Sequence, residues 1–361
     1  MIYDSIKIHK ILIQRRNPAL SVTIKEIAEM ANVSRATVDK VINNRPGVKK
    51  ETQEKILAIL NEMNYEPNLI GKALVLSKSP IRLGIIVSSE YSAFIHDTLL
   101  GIRKAEKEFG PFGIEVTVKT LTSFEPAELV ALLNEFQQMK MTGIGLLPID
   151  DEQVRQKLNQ LADKGIGVVT FNSKLDDIND LCFIGQDHYR GGRIAAGLME
   201  KIVPQEGKIG VIISTKSLSC HQERLEGFRT RIEESIKNLT ILEIRENEDR
   251  KEDAFRHTLD FLHKYPDING IYIAGGGVPG VASALAIEKK ENEIAFICHD
   301  RFPETEALLK KGVVDFVLDQ NSTKQGYQVI KTLFNFVVKH KKPKSNFYDI
   351  PLDILTQDYL Q

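Results

Sequence analysis

Several features that would narrow a function are scarce in this chain of 361 residues. Its three cysteines, Cys182, Cys220 and Cys298, lie far apart without a CxxC pair, and His221 and His299 sit too close to their cysteine neighbours to share a tetrahedral metal with them. That excludes a disulfide framework and a zinc finger, and it predicts reduced thiols in a cytoplasmic protein. No apolar run approaches the roughly 18 residues that span a bilayer. Lys7, Lys10, Arg15 and Arg16 interrupt the stretch where a signal-peptide core would stand, so no membrane partner is expected. The eight histidines are scattered, and none stands with a serine or cysteine in a nucleophile motif. His299 precedes Asp300, but adjacent strand residues point to opposite faces. The chain therefore does not read as an enzyme, and no catalytic residue, metal or cofactor is expected. Internal repeats and low-complexity segments are also missing.

What is present is the balance of a soluble globular protein, with 42% apolar and 27% charged residues. The length suggests two or three domains. A net charge of −1 conceals an asymmetry: residues 1–78 carry 13 Lys and Arg against 8 Asp and Glu, whereas the remainder carries 35 against 41. A basic head on an acidic body suits a polyanionic partner for the head alone, because Lys and Arg release counterions from phosphates.

Residues 23–65 read as three short helices. The first opens on a capping box, Thr23-Ile24-Lys25-Glu26, and sets Ile24, Ile27 and Ala28 on one face. After Asn32-Val33, Ser34 caps a second helix whose inner stripe is Val38, Val41 and Ile42, and the run from Asn43 to Gly47 ends it. A third helix directs Ile56, Leu60 and Met63 inward until Tyr65-Glu66-Pro67 stops it. About 45 residues around such a core are marginal alone.

From Ile81 onward, short β-branched runs alternate with amphipathic stretches, the pattern of parallel βαβ units. Strands are expected at 81–87, 114–118, 144–148, 168–171, 209–213, 241–244, 271–274, 295–298 and 316–318. They exceed one ordinary sheet. The expected fold is thus a small all-α helix-turn-helix headpiece plus an α/β core of two doubly wound parallel-sheet lobes. Ligands of open α/β sheets sit at the carboxyl ends of the strands, which puts a small molecule between the lobes.

The ordered set Ile24-Lys-Glu-Ile-Ala28, Val33-Ser-Arg-Ala-Thr-Val38, Val41-Ile-Asn-Asn44, Asn64-Tyr-Glu-Pro-Asn68 and Ala73-Leu74 resembles the DNA-binding headpiece of the LacI/GalR regulators. The resemblance implies that residues 34–43 enter the major groove of double-stranded operator DNA, where Arg35, Ala36 and Lys40 read bases. Thr23, Ser34, Thr37, Asn43 and Asn68 would contact phosphates, with capping as a second role for Thr23 and Ser34. Residues 68–74 match the hinge helix that presses a leucine, here Leu74, into the minor groove. Gly71 in mid-hinge disfavours helix by roughly 1 kcal/mol relative to alanine. Two departures stand out: Lys49 and Lys50 replace a serine cap on the third helix, and Asp39 adds a negative charge to the reading helix.

The resemblance continues through residues 81–356, which are similar to periplasmic sugar-binding proteins of the ribose type. Its marks are Phe183–Gly192, Arg224-Leu-Glu-Gly-Phe228, Cys298-His-Asp300 and Asp319–Tyr327. It implies a sugar site in which Arg224 donates in a fork, Asp300, Asn172 and Gln320 bond hydroxyls, Phe94 covers the ring, and Glu90 and Tyr91 line the mouth. Asp187 reads as a cap on the helix beginning at His188. Where the family often has Asn-Asp, this chain has Gly275-Gly-Gly-Val-Pro-Gly280.

That run opens a rival reading. Gly275, Gly277 and Gly280 satisfy GxGxxG, and Asp300 lies 20 residues beyond Gly280, so an NAD-binding sensor or dehydrogenase stands as the alternative. The expected organisation is an extension at 1–22, the helix-turn-helix at 23–66, a hinge at 67–79 and an effector core at 80–361. Lobe 1 takes 80–185 and 320–342; lobe 2 takes 186–319 and 343–361. A homodimer joined through the cores, without a tetramerising tail, completes the expectation of a repressor under allosteric control by a monosaccharide.

Overall fold

The computed structural model describes residues 22–42, 45–63, 81–88 and 93–360. The chain divides into two compact units, Met1–Ser79 and Pro80–Gln361.

In the first unit, helices α1 (Ile24–Ala31), α2 (Arg35–Ile42) and α3 (Lys50–Glu62) close on one core. Ile27, Ala28, Ala31, Val38, Val41, Ile56, Ile59 and Met63 are buried in it. Ile24, Ile42 and Leu60 are only half-buried, so α3 faces inward through Ile59 rather than through the expected Leu60. The capping box forms as expected: Thr23 N donates to Glu26 Oε2 at 2.7 Å, and Glu26 N to Thr23 Oγ1 at 3.3 Å. Asn32 turns the chain at φ 53°, and Lys55 Nζ donates to the Ala31 carbonyl at 2.9 Å, a cation at the negative end of α1. Lys49 caps α3 without a side-chain hydrogen bond, as the missing serine implies.

The second unit contains two six-stranded sheets. Lobe 1 pairs β1 (Ile81–Val87), β2 (Ile114–Thr120), β3 (Gly143–Leu146), β4 (Gly167–Phe171), β5 (Cys182–Gly185) and, late in the chain, β11 (Phe347–Asp349), in the order β11-β5-β4-β3-β1-β2. Lobe 2 is built from β6 (Lys208–Ile213), β7 (Thr240–Glu246), β8 (Gly270–Ile273), β9 (Ala295–His299), β10 (Phe316–Asp319) and β12 (Asp353–Leu355), ordered β12-β10-β9-β8-β6-β7. All pairings are parallel except β10 with β12. The nearly continuous burial of β1, β3, β4, β6 and β8 follows from helices covering both faces.

The helices are α4 (Ala93–Phe109), α5 (Pro126–Gln138), α6 (Glu152–Asp163), α7 (His188–Ile202), α8 (Ser219–Glu233), α9 (Lys251–Lys264), α10 (Val278–Ile287), α11 (Pro303–Lys310) and α12 (Ser322–Lys339). In each lobe helices cross at backbone contact. A Cβ on Gly101 would lie 1.9 Å from the Thr323 carbonyl oxygen, and one on Gly192 would lie 2.0 Å from that of Arg224. Only glycine permits α4 on α12 and α7 on α8 to approach this closely.

The chain passes between lobes after β5, after β10 and after β11. The expected boundary at residue 343 is corrected for the third passage: Phe347–Asp349 pairs with β5 in lobe 1, and only Asp353–Leu355 joins lobe 2. Two three-residue strands rich in polar side chains carry no periodicity to reveal them. Among the described residues, no helix is long and apolar enough to cross a membrane.

Candidate functional site

On the headpiece, the first turn of α2 presents Arg35 and Ala36 to solvent, and Lys40 follows one turn later, also exposed. Val38 and Val41 anchor the opposite face in the core. The Ser34 hydroxyl accepts the Thr37 N–H at 3.1 Å and lies 2.9 Å from Thr37 Oγ1, so this pair caps the helix. Arg45 reaches Asp39 at 3.3 Å, which offsets the acid on the reading helix. Asn43, Asn68, Leu74, Glu90 and Tyr91, with Gly71, lie outside the described residues.

In the core, a cleft of about 930 Å³ opens at the carboxyl ends of both sheets, a volume within the range of small-molecule sites. Lobe 1 lines it through Ser88, Phe94 and Phe124, and lobe 2 through Asp249, Gly276, His299 and Asp300. Its inner recess gathers Phe94, Asn172, Arg224, Asp300 and Gln320, every described member of the expected effector set.

Arg224 is 2% exposed and projects from α8. Its Nη1 donates to the Ala274 carbonyl at 2.7 Å, its Nη2 donates to Gln320 Oε1, and its Nε has no partner among the described residues. Gln320 passes the polarity on, Nε2 donating to Asp300 Oδ1 at 2.6 Å. This chain of bonds crosses a lobe connection, because Gln320 lies between β10 and α12. Asn172, held at φ 59° after β4, points Nδ2 at Cys220 Sγ at 3.9 Å across to lobe 2, while its buried Oδ1 has no partner among the described residues. A buried guanidinium N–H needs an acceptor and a buried amide oxygen needs a donor, and a hydroxyl of a polyhydroxylated ligand supplies either.

Burial pushes the Asp300 carboxyl up to about 6, against the pull of the Arg224 charge. His188 donates Nε2 to the Asn172 carbonyl and, with His299, is held well below the usual imidazole range by burial and by Arg224. His299 Nε2 pairs with the Tyr272 hydroxyl at 2.9 Å. Burial opposes the charged forms of Cys220 and His221, yet their mutual attraction outweighs it, lowering the thiol and raising the imidazole.

The glycine run takes a different part from the dinucleotide fingerprint. Asp249, at φ 60°, accepts the Gly276 N–H on Oδ1 at 2.6 Å, and a Cβ on Gly276 would lie 2.8 Å from that oxygen. Gly277 turns at φ 95° against Asn247, and Gly280 admits α9, where a Cβ would meet the Lys251 carbonyl oxygen at 2.0 Å. A pyrophosphate at the start of α10 would confront the Asp249 carboxylate already bonded there. The NAD reading is therefore corrected: these glycines serve packing and a carboxylate.

Asp187 caps α7, accepting the Arg190 N–H at 2.8 Å. Sequence reasoning missed Asp249 and His221. Asp249 follows β7, and the rule that ligands gather beyond strand carboxyl ends was signal enough to propose it.

Residues 83–342 match the family described as periplasmic binding protein domain, and residues 23–68 match the bacterial regulatory proteins of the lacI family. The probable HTH-type transcriptional repressor ExuR of Bacillus subtilis is 28% identical over 211 residues, 57% of this chain and 59% of that protein. The ribose operon repressor of Halalkalibacterium halodurans is 23% identical over 266 residues, 73% of this chain and 75% of the relative. The alignment thus spans about three fifths of ExuR. GanP, a glucose-galactose binding protein from Geobacillus stearothermophilus, superposes with a TM-score of 0.70 at 20% identity, covering 78% of this chain and 98% of that one. At that identity the likeness establishes the fold.

Proposed function

Because the chain belongs to the periplasmic binding protein domain family through residues 83–342 and joins to it a lacI-family headpiece, we propose that it is a sequence-specific DNA-binding transcription regulator, a repressor, controlled by a small molecule between the core lobes. Arg35 and Lys40 donate to guanine edges in the major groove and the Ala36 methyl meets a thymine methyl. Thr23, Ser34, Thr37, Asn43 and Asn68 position the headpiece on phosphates, and Leu74 enters the minor groove.

The observation that carries the effector half is the Arg224–Gln320–Asp300 chain, which binds polar groups of the cleft to a lobe crossover. A monosaccharide fits its chemistry: Arg224 and Asn172 have unmet groups for hydroxyls, Asp300 accepts, and Phe94 covers an apolar ring face. Glu90 and Tyr91 complete the mouth. A ligand on these groups favours one lobe angle, and the crossovers carry that bias to the hinge at 67–79, a coupling typically of about 1–3 kcal/mol. The acting form is a cytoplasmic homodimer on a near-palindromic operator.

A panel of monosaccharides and nucleosides screened by thermal shift tests this reading, since a ligand of the folded state raises the melting temperature with concentration. A sugar that stabilises the protein and changes its affinity for DNA supports it. A panel without stabilisers, or stabilisers that leave DNA binding unchanged, counts against it.

A further inference from the structure

A second recess of about 550 Å³ lies on lobe 1, between the C-terminal half of α12, residues 341–345 and the edge strand β11. It stands near the amino end of β11, away from the strand carboxyl ends that form the cleft. Lys331, Lys339, Lys341, Lys342 and Lys344 line it, and among the described residues no carboxylate does. Lys331 and Lys339 are steadied over aromatic rings, 5.6 Å from the Tyr327 centroid and 5.3 Å from that of Phe334. Phe347 stacks on Phe183 at 5.5 Å and forms a firm wall.

The remaining wall contains Gln328, 8% exposed, whose buried Oε1 has no hydrogen-bond partner among the described residues. The exposed Lys341, Lys342 and Lys344, with Lys331 and Lys339 beside them and no carboxylate among the described lining residues, favour a dianion. Anionic oxygens held by the lysines only accept, so Gln328 needs a donor from elsewhere on the ligand, and a hydroxyl supplies one.

We propose that this recess binds a small organic phosphate bearing a hydroxyl, at a site separate from the cleft. Such an occupant clamps residues 341–345 against α12. That segment leads through β11 into the third lobe crossover, so the site is placed to bias the lobes independently of the cleft ligand.

Titration calorimetry of the full chain with glycerol 3-phosphate and with sulfate, a dianion without a hydroxyl, tests the proposal. Glycerol 3-phosphate is expected to bind one per chain, with sulfate about tenfold weaker, the effect of about one hydrogen bond. Replacing Lys341, Lys342 and Lys344 together with alanine is expected to abolish both titrations. Gln328→Met is expected to retain binding of both anions while erasing the preference. Absence of saturable glycerol phosphate binding at low salt, or equal affinity of the wild type for both probes, overturns the proposal. The second result marks a charged face without a built site. The wild-type comparison stands even where a variant fails to fold, which circular dichroism reports.

Discussion

The Asp249 carboxylate and the Gly276 backbone lock together: Oδ1 accepts the Gly276 N–H at 2.6 Å, and the missing Cβ leaves the space the carboxylate occupies. Gly276→Ala would set a methyl 2.8 Å from that oxygen and displace Asp249 from the cleft wall. We expect a loss of about 1–3 kcal/mol in stability from overpacking and a clear fall in cleft-ligand affinity, read by urea unfolding and calorimetry. A variant equal to wild type in both would show that the contact is incidental.

Arg224 serves two acceptors from a buried position, the Ala274 carbonyl and Gln320 Oε1. Arg224→Met strands both, and at about 1–3 kcal/mol for each unmet buried group the variant should lose on the order of 3 kcal/mol. Arg224→Lys keeps the charge but lacks the fork, so it should fall between. Urea unfolding separates the three proteins, and equal midpoints for the methionine variant and wild type would refute the assignment.

Asp300 sets a pH dependence of definite sign. Its folded carboxyl is raised from 3.8 to about 6 by burial, so the folded state keeps a proton that the unfolded chain loses earlier. The group's contribution is therefore largest below the unfolded value and is lost as pH rises through the folded one. Asp300→Asn removes this dependence. The unfolding free energy of wild type minus that of the variant should fall from about pH 4 to about pH 6 and then level. A difference that is flat, or that rises over this range, contradicts the buried carboxyl.

How much of this was legible in the sequence depended on whether the signal was local. Ile81–Val87 and Ile209–Ile213 announce themselves as apolar runs, and Thr23 with Glu26 announces a helix start, because the partners are neighbours in the chain. Cys182–Gly185 is too short for periodicity, and Phe347–Asp349 is a strand only because β5 waits for it more than 160 residues earlier. Arg224, Asp300 and Gln320 were found through a family likeness, whereas Asp249, at a strand's carboxyl end but in no local motif, was passed over, and its partner Gly276 lies 27 residues away. The GxGxxG spacing misled because close packing and phosphate binding both require a residue without a side chain.

The helix crossings give a further test. Gly192→Ala would put a methyl 2.0 Å from the Arg224 carbonyl oxygen and force α7 from α8, on the helix that carries Arg224 itself. About 1–3 kcal/mol or more of destabilisation is expected. Gly165→Ala provides the contrast, since open space surrounds that Cβ position and only its φ of 81° disfavours the change. Thermal melts that rank Gly165→Ala as the more damaging substitution would contradict the packing argument.

The claim on which the function depends is that the headpiece reads duplex DNA through α2. Fluorescence anisotropy on a duplex selected from random sequence, measured over a series of salt concentrations, tests it most directly. The account predicts tight, salt-sensitive binding, lost in large part by Arg35→Ala with Lys40→Ala, with selectivity of about 1–3 kcal/mol per base contact removed. Wild-type affinity and selectivity retained by that double variant would contradict it.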